Sequence, residues 1–186
     1  MRVIAGEAKG RRLKSVPGVS TRPITDRVKE SLFDILGAEV VGARVLDLYA
    51  GTGSVGIEAL SRGAEEVVFV DAGRRAIEVI KANLALTGLG EEAKVFQQDV
   101  FRFLRKTDLG PFDIIYVAPP QYKELWSKTV KVVDESPNIL NADGLVIAQM
   151  HPKEYEELSL ETLRLLERRK YGSTLLCFYG WISRRS

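Results

Sequence analysis

The chain predicts an α/β fold: a doubly wound, mostly parallel seven-stranded sheet with an antiparallel last strand, preceded by a small N-terminal hairpin and helix. Three observations lead there. From residue 43 onward, short apolar runs alternate with amphipathic stretches, which is the pattern of strand–helix–strand units packed into one sheet. Acidic residues, Asp47, Asp71 and Asp99, close three successive apolar runs. The final two runs, 163–170 and 173–180, are joined only by Tyr171-Gly172, too short for a crossover, so they must pair antiparallel.

The elements follow in order. A short strand around Arg2 to Ile4, a glycine-bearing turn and a second strand around Arg12 to Lys14 read as a hairpin. After a loop with Pro17, Gly18 and Pro23, Thr25 or Asp26 caps a helix whose apolar positions Val28, Leu32, Ile35 and Leu36 share one face. This extension, 1–42, leads into the main unit, 43–186, and the two are expected to form one compact body. The spacing then predicts strand 44–48, helix 55–62, strand 66–70, helix 73–87, strand 93–97, helix 100–106, strand 112–117, a helix over 123–134 and strand 144–150 before the closing hairpin.

With 186 residues the chain fits one domain with a sizeable core. Its single cysteine, Cys177, lies in an apolar run and cannot form an intrachain disulfide, which points to a buried thiol in a reducing compartment. Neither a membrane-length apolar stretch nor a signal-like N-terminus is present, so a cytoplasmic location is expected, and the chain is expected to be a monomer. One Cys and one His exclude a zinc constellation, and no metal is expected. The net charge of +2 conceals an uneven distribution: residues 1–30 and 164–186 each carry +5, and the stretch between them −8. Two basic ends around an acidic centre fit a polyanionic partner, since Lys and Arg displace counterions from phosphates. A basic but merely solvated surface is the alternative.

The most specific stretch is Val45-Leu-Asp-Leu-Tyr-Ala-Gly-Thr-Gly-Ser-Val-Gly56. Gly51, Gly53 and Gly56 between a strand and a helix suit a backbone that turns tightly against a nucleotide-like ligand. The spacing alone also serves nicotinamide and flavin dinucleotides, whose pyrophosphate sits on the following helix. Asp47 argues for S-adenosylmethionine instead, because a carboxylate at the strand tip repels pyrophosphate and suits the ammonium of a methionine moiety. Asp71 suits a ribose diol in either class of cofactor. Asp99, with the Val100 backbone, suits an adenine amino group. Tyr49 and Ala72 flank these acids, giving a predicted cofactor set of Asp47, Tyr49, Gly51, Gly53, Asp71, Ala72, Asp99 and Val100.

The fourth strand of the alternation ends in Ala118-Pro119-Pro120-Gln121-Tyr122. Paired prolines stiffen the chain and lack N–H groups, which leaves the Ala118 and Pro119 carbonyls able to accept from a substrate amine. Such acceptance biases an exocyclic base nitrogen toward pyramidal geometry, and Tyr122 supplies a stacking surface. These five residues form the candidate catalytic set. The competing reading is a simple strand-ending turn.

Several further segments carry a family resemblance: Arg2-Val-Ile-Ala-Gly6 with Lys9-Gly-Arg-Arg-Leu13, the helix start Arg22-Pro-Ile-Thr-Asp-Arg-Val28, Arg44 to Ala64, the Pro-Pro turn, and Arg169-Lys-Tyr-Gly-Ser-Thr174 with Phe178-Tyr179. Together they resemble the RsmD family over essentially the whole chain. The resemblance implies a Rossmann-like class I methyltransferase fold and transfer of a methyl group from S-adenosylmethionine to the N2 amine of a guanine in 16S ribosomal RNA. It further implies that small-subunit RNA or a 30S assembly particle is the partner, met by Lys9, Arg11, Arg12, Arg22 and Arg27. One departure falls at the reaction centre. Amino-methyltransferases of this kind usually read Asp-Pro-Pro-Tyr or Asn-Pro-Pro-Tyr, whereas Ala118 stands in the first place here and Gln121 displaces the tyrosine by one.

That departure keeps a second reading open, a catalytically silent module binding cofactor and RNA; adenine-N6 methylation of another nucleic acid is a third. A nicotinamide-dependent oxidoreductase would explain only the glycines and Asp71. His151 reads as a turn residue before Pro152, Trp126 and Trp181 as packed aromatics, and Glu154 to Glu157 as a solvated helix face.

Overall fold

The computed structural model describes residues 1–18 and 23–182. Arg22, one of the expected RNA contacts, and Arg184 and Arg185, two cations of the basic stretch 164–186, lie outside the described residues. Chain order runs α1 (Asp26–Leu36), β1 (Arg44–Leu48), α2 (Ser54–Ser61), β2 (Glu66–Asp71), α3 (Arg74–Thr87), β3 (Ala93–Gln97), α4 (Val100–Lys106), β4 (Phe112–Val117), α5 (Leu125–Asp134), β5 (Leu140–Met150), β6 (Leu163–Tyr171) and β7 (Thr174–Trp181). The seven strands form one sheet in the order β3-β2-β1-β4-β5-β7-β6. β1 to β5 pair parallel, and β7 runs antiparallel to both β5 and β6.

Side chains alternate across this sheet and bury two apolar layers, as a parallel sheet covered on both faces requires. One layer packs Val45, Val67, Phe69, Ile114 and Ile147 against α1, α2 and α3; the other packs Leu46, Val68, Ile115 and Val146 against α4 and α5. The N-terminal segment contributes Val3, Ala8 and Leu13 to the first layer. Trp126 is buried and stacks on Tyr155 at 6.2 Å, and Cys177 is buried with its thiol pKa pushed up to about 12 by desolvation. The Trp181 indole N–H donates to the Asn141 carbonyl at 2.7 Å. Among the described residues, no helix is long and apolar enough to cross a membrane.

The structure differs from expectation in three places. The N-terminal hairpin reduces to a single antiparallel bridge, Arg2 to Arg12. Its ladder stops there because the next two backbone donors, Ile4 and Ala5, turn instead to the Glu58 carboxylate at 2.8 and 3.1 Å. β5 starts at Leu140, not 144: a register shift between Phe112 and Ile114 absorbs the turn-like Asn141-Ala-Asp-Gly144, with Asn141 bonded to Asp113 at 2.7 Å. Glu154 to Glu157 is not a helix face, because only a 3-10 turn, Pro152–Glu154, forms there.

A buried ionic knot holds the N-terminal segment to the sheet unit. Lys29 and Glu58 are both fully buried and 3.3 Å apart. The Lys29 ammonium donates to the Arg2 carbonyl at 2.6 Å and to Ser54 at 3.0 Å, while Glu58 also accepts from Arg62. Burial lowers the Lys29 pKa against the opposing pull of Glu58.

Candidate active site

The strand order reverses direction between β1 and β4, and in open α/β sheets the crevice at the carboxyl ends of the strands flanking this switch receives the ligand. Two loops line it, residues 49–53 after β1 and 118–124 after β4.

The first loop is built by its backbone. Gly53 takes φ 78° just ahead of α2, and Gly56 lets the helix close on β2, since a Cβ there would lie 2.3 Å from the Phe69 ring. The loop surface at Gly51 is open: a Cβ added there would meet only the Tyr49 carbonyl, at 4.0 Å. Tyr49 itself holds φ 58°, a rare conformation for a side chain of that size. Its hydroxyl is 2.8 Å from Thr129 on α5, so it ties the loop to the helix behind the second loop, and burial raises its pKa.

The three acids sit at successive strand ends as expected, yet in different environments. Asp47 is buried on β1 and accepts the Gly56 N–H at 3.0 Å; desolvation pushes its pKa up to about 8. Asp71 braces two turns, accepting from Gly51 at 2.9 Å and from Gly73 at 2.8 Å. Asp99 is exposed and caps α4 through the Arg102 N–H at 3.0 Å; Val100 is buried, and Ala72 is exposed beside Asp71. Asp71 and Asp99 reach the surface and keep lone pairs for a ligand, whereas Asp47 lies closed beneath the loop, where a cation brought against it would favour its ionised form. The donor groups of S-adenosylmethionine, an ammonium, a ribose diol and an adenine amine, match this acceptor set.

The second loop is held from outside. Ala118 extends the β1–β4 ladder, its N–H 3.4 Å from the Leu48 carbonyl, and Pro119 and Pro120 follow, partly exposed. Tyr122 and Glu124 take φ 62° and 55°. Non-glycine residues in this region concentrate at functional sites because surrounding contacts must enforce them. Here the Glu154 carboxylate enforces it, accepting from Tyr122 at 2.7 Å and from His151 at 3.0 Å. His151 also caps the 3-10 turn, as a turn residue should, and its ring lies 5.9 Å from that of Tyr122, which is 64% exposed. Gln121 is exposed beside it.

The basic N-terminal segment lies alongside the glycine loop. The buried Asn83 amide grips the Lys14 backbone at 2.7 and 3.1 Å and the Thr52 carbonyl at 2.9 Å, joining the two. Lys9, Arg11, Arg12 and Arg27 are exposed. A second set of exposed cations, Arg164, Arg168, Arg169 and Lys170, runs along the edge strand β6, with Arg168 4.4 Å over the Tyr155 ring. Among the described residues, no group of three acids, histidines or cysteines is placed to hold a metal ion. Two concavities elsewhere, one under α1 and one at the opposite edge of the sheet, include no residue of either loop.

Asn83 and Glu154 are absent from the set read off the sequence. Asn83 carried a usable signal, a polar residue on the face of α3 that buries Ile80 and Leu84. Glu154 carried none, because its partner Tyr122 is 32 residues away.

A family model described as Conserved hypothetical protein 95 matches residues 1–180. The chain belongs to this family. It is 42% identical over 183 residues, spanning 96% of this chain and 98% of the relative, to "Putative rRNA methyltransferase YlbH" of Bacillus subtilis. It is 33% identical over 174 residues, 92% of this chain and 89% of the relative, to "Ribosomal RNA small subunit methyltransferase D" of Haemophilus influenzae. Among solved structures, "Putative methyltransferase yhhF" from Escherichia coli superposes with a TM-score of 0.85 at 29% identity, covering 97% of both chains. The resemblance to the RsmD family drawn from the motifs is therefore met by relatives in the same family, and the class I methyltransferase architecture by the sheet and its neighbours.

Proposed function

We propose that this chain transfers the methyl group of S-adenosylmethionine to the exocyclic N2 amine of a guanine in small-subunit ribosomal RNA. One observation carries the reading: the Pro-Pro turn after β4 and the glycine loop after β1, flanked by strand-end carboxylates, sit at the same switch point of the sheet. In this reading Asp47 takes the methionine ammonium, Asp71 the ribose diol, and Asp99 with the Val100 backbone the adenine, while Tyr49, Gly51, Gly53 and Ala72 shape the backbone around them. The cofactor supplies a sulfonium-activated methyl group. The Ala118 and Pro119 carbonyls and Gln121 hold the acceptor amine in line, and Tyr122 stacks on its base. As nitrogen bonds the methyl carbon and the carbon–sulfur bond breaks, the amine becomes strongly acidic and releases its proton to water, so no strong base is required. Lys9, Arg11, Arg12 and Arg27 meet the RNA backbone.

Ala118, in place of a side-chain acceptor, favours a second reading, a silent module that binds cofactor and RNA; adenine N6 is the alternative target for an active enzyme. Incubation with methyl-labelled S-adenosylmethionine and unmodified small ribosomal subunits, followed by nucleoside mass spectrometry, separates them. N2-methylguanosine is the expected product. Labelled N6-methyladenosine would move the target, and cofactor binding without any label would identify the silent module.

A further inference from the structure

We propose that Gln149, on β5, supplies the side-chain acceptor that Ala118 lacks, placing its amide against the substrate amine beside the Pro-Pro turn. The inference rests on the methyltransferase reading above. β4 and β5 pair in parallel with Tyr116 opposite Ile147 and Val117 opposite Ala148, so one step further along the ladder Ala118 lies beside Gln149. Neighbouring strands are about 4.8 Å apart. Side chains two apart share a face, so Tyr116, Ala118, Ile147 and Gln149 point to the same side of the sheet, where Asp47 is the partner of Tyr116 on β1. Asp47, Tyr116 and Ile147 thus form one row across β1, β4 and β5, and Ala118 with Gln149 stands on the same face one row further toward the crevice.

On that face the amide is aimed. The buried Tyr116 hydroxyl donates to the Gln149 amide oxygen, and burial together with Asp47 raises the Tyr116 pKa, which keeps it a donor. The opposite neighbour of Gln149, Leu176 on β7, is apolar and offers the amide nothing. Gln149 is partly exposed and makes no other side-chain hydrogen bond among the described residues; no buried side-chain nitrogen or oxygen there lacks a partner, so its Nε2 is open to solvent. The amide oxygen keeps one lone pair and Nε2 keeps its two N–H groups. An amine donor next to a ring-nitrogen acceptor, the N2 and N3 atoms of guanine, matches this pair. Positive charge grows on the amine as the new N–C bond forms, and the Gln149 oxygen stabilises it from the place where an aspartate or asparagine at 118 would act.

Methyl transfer to small-subunit RNA by the full chain tests this, with cofactor affinity by calorimetry and melting temperature measured in parallel. Gln149→Ala is expected to lower kcat on the order of a hundredfold, the usual cost of removing one preorganised contact to developing charge, with cofactor affinity unchanged and a modest fall in melting temperature because the buried Tyr116 hydroxyl loses its acceptor. Adding Ala118→Asp to Gln149→Ala should recover most of that loss, which a merely structural role would not allow. Unaltered kcat in Gln149→Ala, a parallel loss of cofactor affinity, or failure of the Ala118→Asp rescue would each overturn the proposal. If Gln149→Ala does not fold, Gln149→Met keeps the bulk and decides the same question. Total label reports on Gln149 whichever nucleoside receives it, while the identity of that nucleoside tests the guanine assignment separately. An inert wild-type chain overturns both.

Discussion

The Glu154 carboxylate reaches from the turn after β5 to the Tyr122 N–H at 2.7 Å, and with its other oxygen it accepts from His151 at 3.0 Å. A loop whose backbone is strained at two positions is thereby pinned from a neighbouring strand end. Removing the pin in Glu154→Ala should lower kcat for methyl transfer roughly tenfold, because misplacing an acceptor by a fraction of an ångström weakens alignment. The turn is peripheral, so melting temperature should barely move. Glu154→Gln, which keeps one acceptor, should fall between the two in a steady-state assay.

Asp47 gives a pH signature. Its folded-state pKa of about 8 lies above the value of about 3.9 for an unfolded chain, so between those limits the folded protein binds more protons than the unfolded one. Its contribution therefore makes stability fall as pH rises from about 4, and the fall ends once pH exceeds about 8. Asp47→Asn should be more stable than wild type at pH 9, with the difference shrinking toward pH 5. Urea unfolding across that range measures it. The same variant should bind cofactor more weakly, having lost the partner proposed for the ammonium.

Glu58 offers a stability test remote from the chemistry. Glu58→Ala strands the buried Lys29 ammonium and the Ile4 and Ala5 N–H groups together, and breaking a buried pair in this way costs about 3–5 kcal/mol. Lys29→Met leaves Glu58 bonded to Arg62 and to both backbone donors, so its cost should be smaller. Denaturant midpoints of the two variants decide the order.

Charge reversal at Arg11 or Arg12 should weaken RNA binding and reduce its salt dependence by about one unit of slope per lost phosphate contact. Cofactor affinity should stay constant. Binding titrations at several salt concentrations give both numbers.

Much of this fold was legible because local signals agreed with the tertiary result. Strands 44–48, 93–97 and 112–117 matched residue for residue, since each is an apolar run bounded by turn residues. The Asp47, Asp71 and Asp99 series was equally visible as acids closing consecutive runs. What sequence hid was long-range. Nothing near Ile4 shows that its N–H will leave a hairpin for Glu58, 54 residues on, and Asn141-Ala-Asp-Gly144 reads as a turn until β4 draws it into a bulged strand. The clamp at Glu154 is of the same kind, for an acidic run reads as solvated surface unless its partner is known.

The edge strand β6 has a consequence for solubility. An outermost strand exposes unpaired backbone groups that invite a second molecule to extend the sheet, and natural proteins block this with charge. Arg164, Arg168 and Lys170, with Arg169 paired to Glu167, leave β6 a net positive border, so two copies approaching edge to edge repel one another. The same cations suited to a phosphate backbone thus guard the sheet against self-assembly, and concentrated salt, by screening them, removes that guard.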